Sequence, residues 1–334
     1  MVPSCHWLFQ KASIRMVSNI MSTQQHSIQF NSKSFSFGRH ETFALRFGWL
    51  TKGFQGLTIN PDIFLDEDAT VHLGVGKNMV SSIRYWMLAT KIAEIKGSHI
   101  EASEIGHLIF SETGWDPYLE DEATIWLLHW LLASNSQHAT AVYWFFNHFH
   151  KSEFSSDEMF GGMKEFVGER LEGKKVADSS LKHDCNILTR LYVPSQGDKR
   201  TPVEDALDSP LSTLGLMNKS ELSNRYVSKP DGRWDIPLGV IGYAIGELFE
   251  ASDQSSVAIE AIVHGTESMP GLGSTFRITE ECLVSKIEEL ITWVPGVFEL
   301  RESAGIYLLY QLEEMLPIEF LNMHYKAYEM EIAA

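Results

Sequence analysis

The chain has 334 residues, 44% of them hydrophobic, with 27 Lys+Arg against 44 Asp+Glu and a formal net charge of −17. That length allows two or three domains around a large core, and no apolar run is long enough to span a bilayer. Cys5, Cys185 and Cys282 are too scattered for a C-x-x-C zinc site or a disulfide framework, so a cytoplasmic protein without membrane contact is expected.

The first forty residues hold no acid, with Lys11, Arg15, Lys33 and Arg39 as their strong charges. Such a composition resembles a transit peptide. A disordered extension or an upstream start codon over residues 1–29 explains it better, with Met16 and Met21 as alternative starts. Short strands are expected at 35–37 and 57–59. Helical periodicity follows at 78–95, 102–111, 117–134, 139–149, 156–172 and 180–191, although 140–146 also suits a strand. The pair 78–95 and 102–110, with Ser98 and Ser103 as caps, is spaced like a helix-turn-helix. These elements make an N-terminal helical domain over 30–193.

Pro194 to Pro202 forms a polar linker to a C-terminal domain over 203–330. A short helix and turn at 205–216 is expected there, then strand, turn and strand over 226–236 around Pro230-Asp231-Gly232. A helix over 237–251 opens on proline. A strand at 275–278 precedes a helix over 279–292, with Thr279 as cap and Glu280 and Glu281 in its first turn. Extended segments at 293–300 and 305–310 make a two-stranded ribbon behind that helix, a winged-helix arrangement. The expected class is mainly α with small β ribbons (α+β), built from helix-turn-helix and winged-helix-like units.

Charge is unevenly distributed. Residues 1–100 carry ten Lys+Arg against six Asp+Glu, so the acid excess lies in the remainder. A positive first part can meet phosphate, while an acidic body predicts weak non-specific affinity for a polyanion; the same acid also serves solubility.

Within the positive part, Gly74-Val75-Gly76-Lys77-Asn78 runs straight into an amphipathic helix. Free N–H groups at a helix start favour an anion, and Gly74 and Gly76 allow a phosphate close to the main chain. Lys77 adds a mobile charge, and Arg84 follows two turns later. The pattern matches neither nucleotide fingerprint, G-x-x-x-x-G-K-[ST] or G-x-G-x-x-G, so a nucleic-acid backbone is the natural anion. A turn that merely starts a helix is the plainer reading.

The run Gly74-Val75-Gly76-Lys77-Asn78-Met79-Val80, continued by Ile83-Arg84-Tyr85-Trp86, resembles the bacterial DUF4007 family. So do Phe37-Gly38-Arg39-His40-Glu41-Thr42-Phe43, Gly114-Trp115-Asp116-Pro117-Tyr118-Leu119-Glu120-Asp121, Asp208-Ser209-Pro210-Leu211 and Ser303-Ala304-Gly305. The resemblance extends from about Phe30 to Tyr328. Departures occur at His183-Asp184, where the family carries a stronger base before the aspartate, and at Glu302-Ser303-Ala304-Gly305, where it carries D-T-A-G. Through this family the chain resembles the SspB component of DNA phosphorothioation systems. That resemblance implies a Mg²⁺-dependent DNA-nicking enzyme working beside a cysteine desulfurase, an ATPase and a sulfur-activating partner.

A Mg²⁺-dependent nuclease needs carboxylates converging on a hard cation that also accepts phosphate oxygens. Glu41 and the group Asp116, Glu120 and Asp121 are the candidate ligands, with His40 as a candidate base and Arg39, Lys77, Asn78 and Arg84 on phosphate. Each has a plainer reading: Asp116 as cap of a helix starting at Pro117, Glu120 to Glu122 as charge near a helix dipole, Glu41 as partner of Arg46. Asp62, Asp66, Glu67 and Asp68 suit a solvated loop. The aromatics Trp126, Trp130, Trp144, Phe145 and Phe146 suit core packing better than base stacking. Two non-enzymatic readings stand beside the nickase: a winged-helix module delivering the modification machinery to DNA, and a scaffold subunit that binds the ATPase or sulfur-transfer proteins.

Overall fold

The computed structural model describes residues 28–173, 175–195, 209–303 and 305–332. Most of the expected N-terminal extension, Cys5, the linker from Gln196 onward, the start of the expected 205–216 helix and Ala304 lie outside the described residues.

Three helices open the fold: α1 (Trp49–Ile59), α2 (Ala69–Leu73) and α3 (Lys77–Ala89). Residues 57–59 are helical, not extended, because Leu57 continues the buried stripe of Leu50 and Phe54. Gly53 lets α1 sit close on α3, where a Cβ would come within 2.8 Å of Ile83. No strand forms at 35–37.

The expected helix over 78–95 stops at Ala89. Lys91 takes the left-handed conformation, and β1 (Ala93–Lys96) then pairs with β2 (His99–Ala102) around Gly97 before α4 (Glu104–Phe110). A β-hairpin therefore separates α3 from α4, and this pair is not a helix-turn-helix. Ser103 caps α4 as expected, accepting from the Gly106 N–H.

α5 (Glu122–Ala133) is the central helix, with Trp126 and Trp130 fully buried. α6 (Thr140–Asn147) is helical and adds buried Trp144, Phe145 and Phe146. α7 (Ser156–Arg170) starts on a reciprocal Ser155–Glu158 capping box, and α8 (Asp178–Tyr192) packs against it.

Strand β5 (Tyr226–Val227) pairs with β3 (Glu153–Phe154) and β4 (Asn218–Lys219), so no hairpin forms around Pro230. Asp231 instead exchanges backbone hydrogen bonds with Arg277 and Thr279. Residues 272–276 form a short helix, not a strand.

The last part runs α9 (Leu238–Ser252), β6 (Ser256–Ala258), α10 (Ile259–His264), α11 (Leu272–Phe276), α12 (Glu280–Trp293), β7 (Phe298–Ser303), β8 (Ile306–Gln311) and α13 (Pro317–Ile332). The antiparallel sheet has the order β6-β8-β7, and Thr279 caps α12. Helix, strand, helices and closing hairpin follow one another as in a winged helix. The whole is α+β, mainly helical with sheets of two or three strands. Buried apolar residues from Ile28 to Tyr325 form one core, in which Trp130 of α5 stacks on Phe276 of α11. Among the described residues no helix is long and apolar enough to cross a membrane.

Candidate nucleic-acid interface

Gly74 ends α2 in the left-handed conformation, and Gly76 enters α3 extended, without a side-chain cap. The N–H groups of Met79 and Val80 both reach the Gly76 carbonyl. Those of Lys77 and Asn78 find no acceptor among the described residues, and both residues are exposed. They point the positive end of a thirteen-residue helix at solvent. Lys52 of α1 adds a second ammonium over this turn, its Nζ 4.0 Å from where a Cβ on Gly74 would stand. Arg84, seven residues after Lys77, lies on the same helix face. Burial lowers the pKa of its guanidinium.

Among the described residues, Arg39, Lys52, Lys77 and Arg84 have no carboxylate partner. Several cations elsewhere face carboxylates: Lys91 and Glu247 at 3.7 Å, Lys96 and Glu94 at 3.1 Å, Lys164 and Asp178 at 2.8 Å, and Arg225 and Glu153 at 3.0 Å.

The loop carrying Arg39, His40 and Glu41 lies against the flank of α3. Ser82 Oγ donates to the His40 carbonyl at 3.1 Å, and Trp86 Nε1 donates to the Phe43 carbonyl at 3.1 Å. Glu41 and Thr42 both have positive φ, 49° and 65°, a conformation that side chains resist. His40 is 2% exposed; its Nδ1 accepts from the Thr42 N–H at 3.1 Å, and its Nε2 lies 3.2 Å from Asp184 Oδ1. The proton therefore sits on Nε2, directed at the carboxylate. Both nitrogens are engaged and the ring is enclosed, so His40 holds the loop. Arg39 and Glu41 stand exposed on either side.

Asp116 serves the backbone of its own turn. It is buried, and its two carboxylate oxygens accept from the Glu120 and Asp121 N–H groups at 2.8 and 3.0 Å. It caps the turn over Pro117 to Asp121, while Asp121 caps α5 through the Ala123 N–H at 2.8 Å. The second Asp121 oxygen faces His324 Nε2 at 3.9 Å, and Glu120 is exposed. Among the described residues no three His, Cys, Asp or Glu side chains are grouped to hold a metal. Asp66 accepts from Asn60 and from the Asp68 N–H, as a capped turn requires.

The sequence marks Asp184 only as the family's aspartate after His183 and gives it no role. Its Oδ2 accepts from the Gly38 N–H at 2.8 Å while Oδ1 faces His40, which ties α8 to the start of the loop. Its neighbour Cys185 is buried, and burial pushes its thiol up to about 12, which makes it inert. The winged-helix unit presents no basic reading face. The exposed residues of α12 include Glu280, Glu281, Glu288 and Glu289, while Lys286 is buried and donates to Glu289.

The DUF4007 family model, described as a protein of unknown function, matches residues 37–325. The chain belongs to the DUF4007 family. Two solved structures resemble this DUF4007 protein over most of its length. A crystal structure of SspB shares 28% identity, covers 88% of this chain and 90% of that one, and superposes with a TM-score of 0.78. A magnesium ion-bound SspB crystal structure shares 29% identity, with coverage of 87% and 88% and a TM-score of 0.78. No curated protein matches the chain.

Proposed function

We propose that this DUF4007 protein is the DNA-acting, SspB-like component of a phosphorothioate modification or defence system, and that it nicks one strand of duplex DNA with Mg²⁺. The observation that carries the reading is the set of cations without a carboxylate partner among the described residues, Lys52, Lys77 and Arg84, on the helix that starts with free N–H groups at Lys77 and Asn78. Likeness to a magnesium ion-bound SspB supports the choice of metal.

Mg²⁺ often keeps several waters and takes one or two protein carboxylates, with substrate phosphate completing its shell. Glu41, exposed on the loop crest beside Arg39, suits that role. Asp116 does not, because both oxygens are committed to backbone. Bound there, the ion would polarise the phosphoryl oxygen and neutralise charge developing on it. Lys77 and Arg84 hold the flanking phosphates, and the Asp184–His40 pair keeps Arg39 and Glu41 in place. The ATPase and sulfur-transfer proteins of the system are the expected partners, in the cytoplasm.

The acidic face of α12 favours a second role, that of a scaffold whose winged-helix unit meets a protein and not DNA. Supercoiled plasmid incubated with Mg²⁺ or EDTA tests the main reading. Open-circular product that needs Mg²⁺ and fails with Glu41→Ala or Lys77→Ala is the expected result. Retained DNA binding without nicking would leave a non-catalytic delivery subunit.

A further inference from the structure

The closing sheet has the order β6-β8-β7, so β7 is an edge strand. It pairs one-to-one with β8, without a bulge, and these two are the longest strands among the described residues. The Leu312 N–H donates to the Val297 carbonyl at 2.8 Å, which fixes the alternation along the edge. Backbone groups of residues 297, 299, 301 and 303 face β8, and those of Phe298, Leu300 and Glu302 face outward. Among the described residues these outward N–H and C=O groups have no partner.

Such an edge is a template for another strand, and proteins commonly blunt it with proline, lysine or a bulge. Phe298-Glu299-Leu300-Arg301-Glu302 has none of these. Its charges follow a different logic. Glu299 and Arg301 project from the sheet face opposite the one through which Phe298 and Leu309 enter the core. They pair with each other, and Arg301 lies 4.7 Å over the Tyr310 ring.

Antiparallel pairing of β7 with a second β7 has one register that suits these charges. Centred on Leu300, it sets Glu299 of each copy opposite Arg301 of the other. A shift of one copy by two residues sets Glu299 against Glu299, or Arg301 against Arg301, and like charges directly opposite repel. In the centred register Leu300 meets Leu300 and Phe298 meets Glu302. Those are the residues whose backbone groups face outward, so hydrogen bonds and charge pairs are satisfied together.

We propose that β7 is a self-docking edge: two copies of this chain join antiparallel, about a two-fold axis through Leu300, and merge their three-stranded sheets into one. The Glu299–Arg301 spacing selects a second copy over an arbitrary extended peptide, because a two-fold contact must complement itself. Five paired residues make a small interface, so the dimer is concentration-dependent. It carries two copies of the α3 face, related by the same axis.

Sedimentation velocity of the full chain over a concentration series tests the dimer, and the wild type should pass from monomer to dimer as concentration rises. Glu299→Arg and Arg301→Glu should each weaken the dimer about tenfold or more, since each sets like charges opposite one another in both halves of the seam. An equimolar mixture of the two variants should pair again, because the charges of one then complement those of the other. Hydrogen exchange reads the wild type alone. The amides of Phe298, Leu300 and Glu302 should slow with concentration, and those of Glu299 and Arg301, already bound to β8, should not. A wild type that stays monomeric at about 100 μM overturns the inference. So does a mixture of variants that melt like the wild type yet stay monomeric. A dimer that survives in both variants, with edge amides indifferent to concentration, overturns it as well and places the interface elsewhere.

Discussion

Asp184 and His40 form a buried pair, Oδ1 to Nε2 at 3.2 Å, with side chains 3% and 2% exposed, and that pair fixes the backbone of the loop across α3. Asp184→Ala would leave the part-buried Gly38 N–H and the buried His40 Nε2 without acceptors. An unsatisfied buried donor costs about 1–3 kcal/mol and a part-buried one less, so a loss of about 2–4 kcal/mol is expected in urea unfolding. His40→Asn should likewise lower the urea midpoint, and nicking should recover on raising Mg²⁺, since the loop that holds Glu41 is displaced and no proton acceptor is lost. Loss of nicking at full stability that no Mg²⁺ concentration restores would instead assign His40 the role of base.

The cationic face predicts a salt signature. Lys77→Ala and Arg84→Ala should each weaken duplex binding and flatten the plot of log affinity against log salt by about 0.9. Glu281→Gln with Glu288→Gln should leave affinity unreduced, since α12 turns acid outward and does not read DNA. Anisotropy titrations at three salt concentrations measure both.

What was legible in the sequence was what depends on near neighbours. The stripe of α3, its glycine entry, the Thr279 cap and the burial of Trp126 and Trp130 all follow from spacing alone. α1 was missed because it starts after left-handed Gly48, with no side-chain cap to announce it. Residues 275–278 suggested a strand because Thr275 and Ile278 are β-branched, yet packing of Leu272 and Phe276 into the core wins. The role of Asp184 is not legible for a plainer reason: its partner His40 is 144 residues away, and no local pattern reports that pairing. Asp116 showed its capping character in sequence, but the turn it caps precedes the helix by five residues more than expected.

Buried histidine makes stability fall with acid. Burial in α5 lowers the His129 pKa from 6.5 to about 3, with Arg233 and Arg277 nearby adding to the effect. His148 falls to about 4 for the same first cause, burial, with Arg170 and His150 contributing. Both are neutral when folded and gain protons on unfolding below pH 6.5, so the unfolded state binds more protons and stability drops as pH falls from about 6.5 towards 3. The His129 contribution alone is about 2 kcal/mol between pH 7 and pH 5. Glu250, pushed up to about 7 by burial, works in the opposite sense over the same range, so urea midpoints at pH 7, 6 and 5 are compared between the wild type and a histidine variant. His148→Phe should reduce the dependence, because the ring lies among Phe30, Tyr143 and Phe166 and its Nε2 has no partner.

Arg277 joins the winged-helix unit to the central helices, and its loss should be the most damaging of these changes. The residue is 4% exposed and left-handed, with φ of 49°. Its Nη2 donates to the carbonyls of Phe145 and Phe149 at 3.0 and 3.1 Å, Nη1 to that of Phe146 at 3.4 Å, and Nε to Ser228 Oγ at 3.2 Å. Burial brings its pKa down to about 10, so the guanidinium stays charged at neutral pH against the negative end of α6. Arg277→Met keeps the volume but strips these carbonyls, for a loss of about 3 kcal/mol or more. Arg277→Lys should recover less than half, because one ammonium cannot reproduce the planar fork that reaches three carbonyls and a hydroxyl. Arg277→Gly relaxes the left-handed backbone and should still behave like the methionine variant, since the fork and not the strain decides. Urea unfolding ranks the three, and a lysine variant as stable as the wild type would show that charge alone suffices at the end of α6.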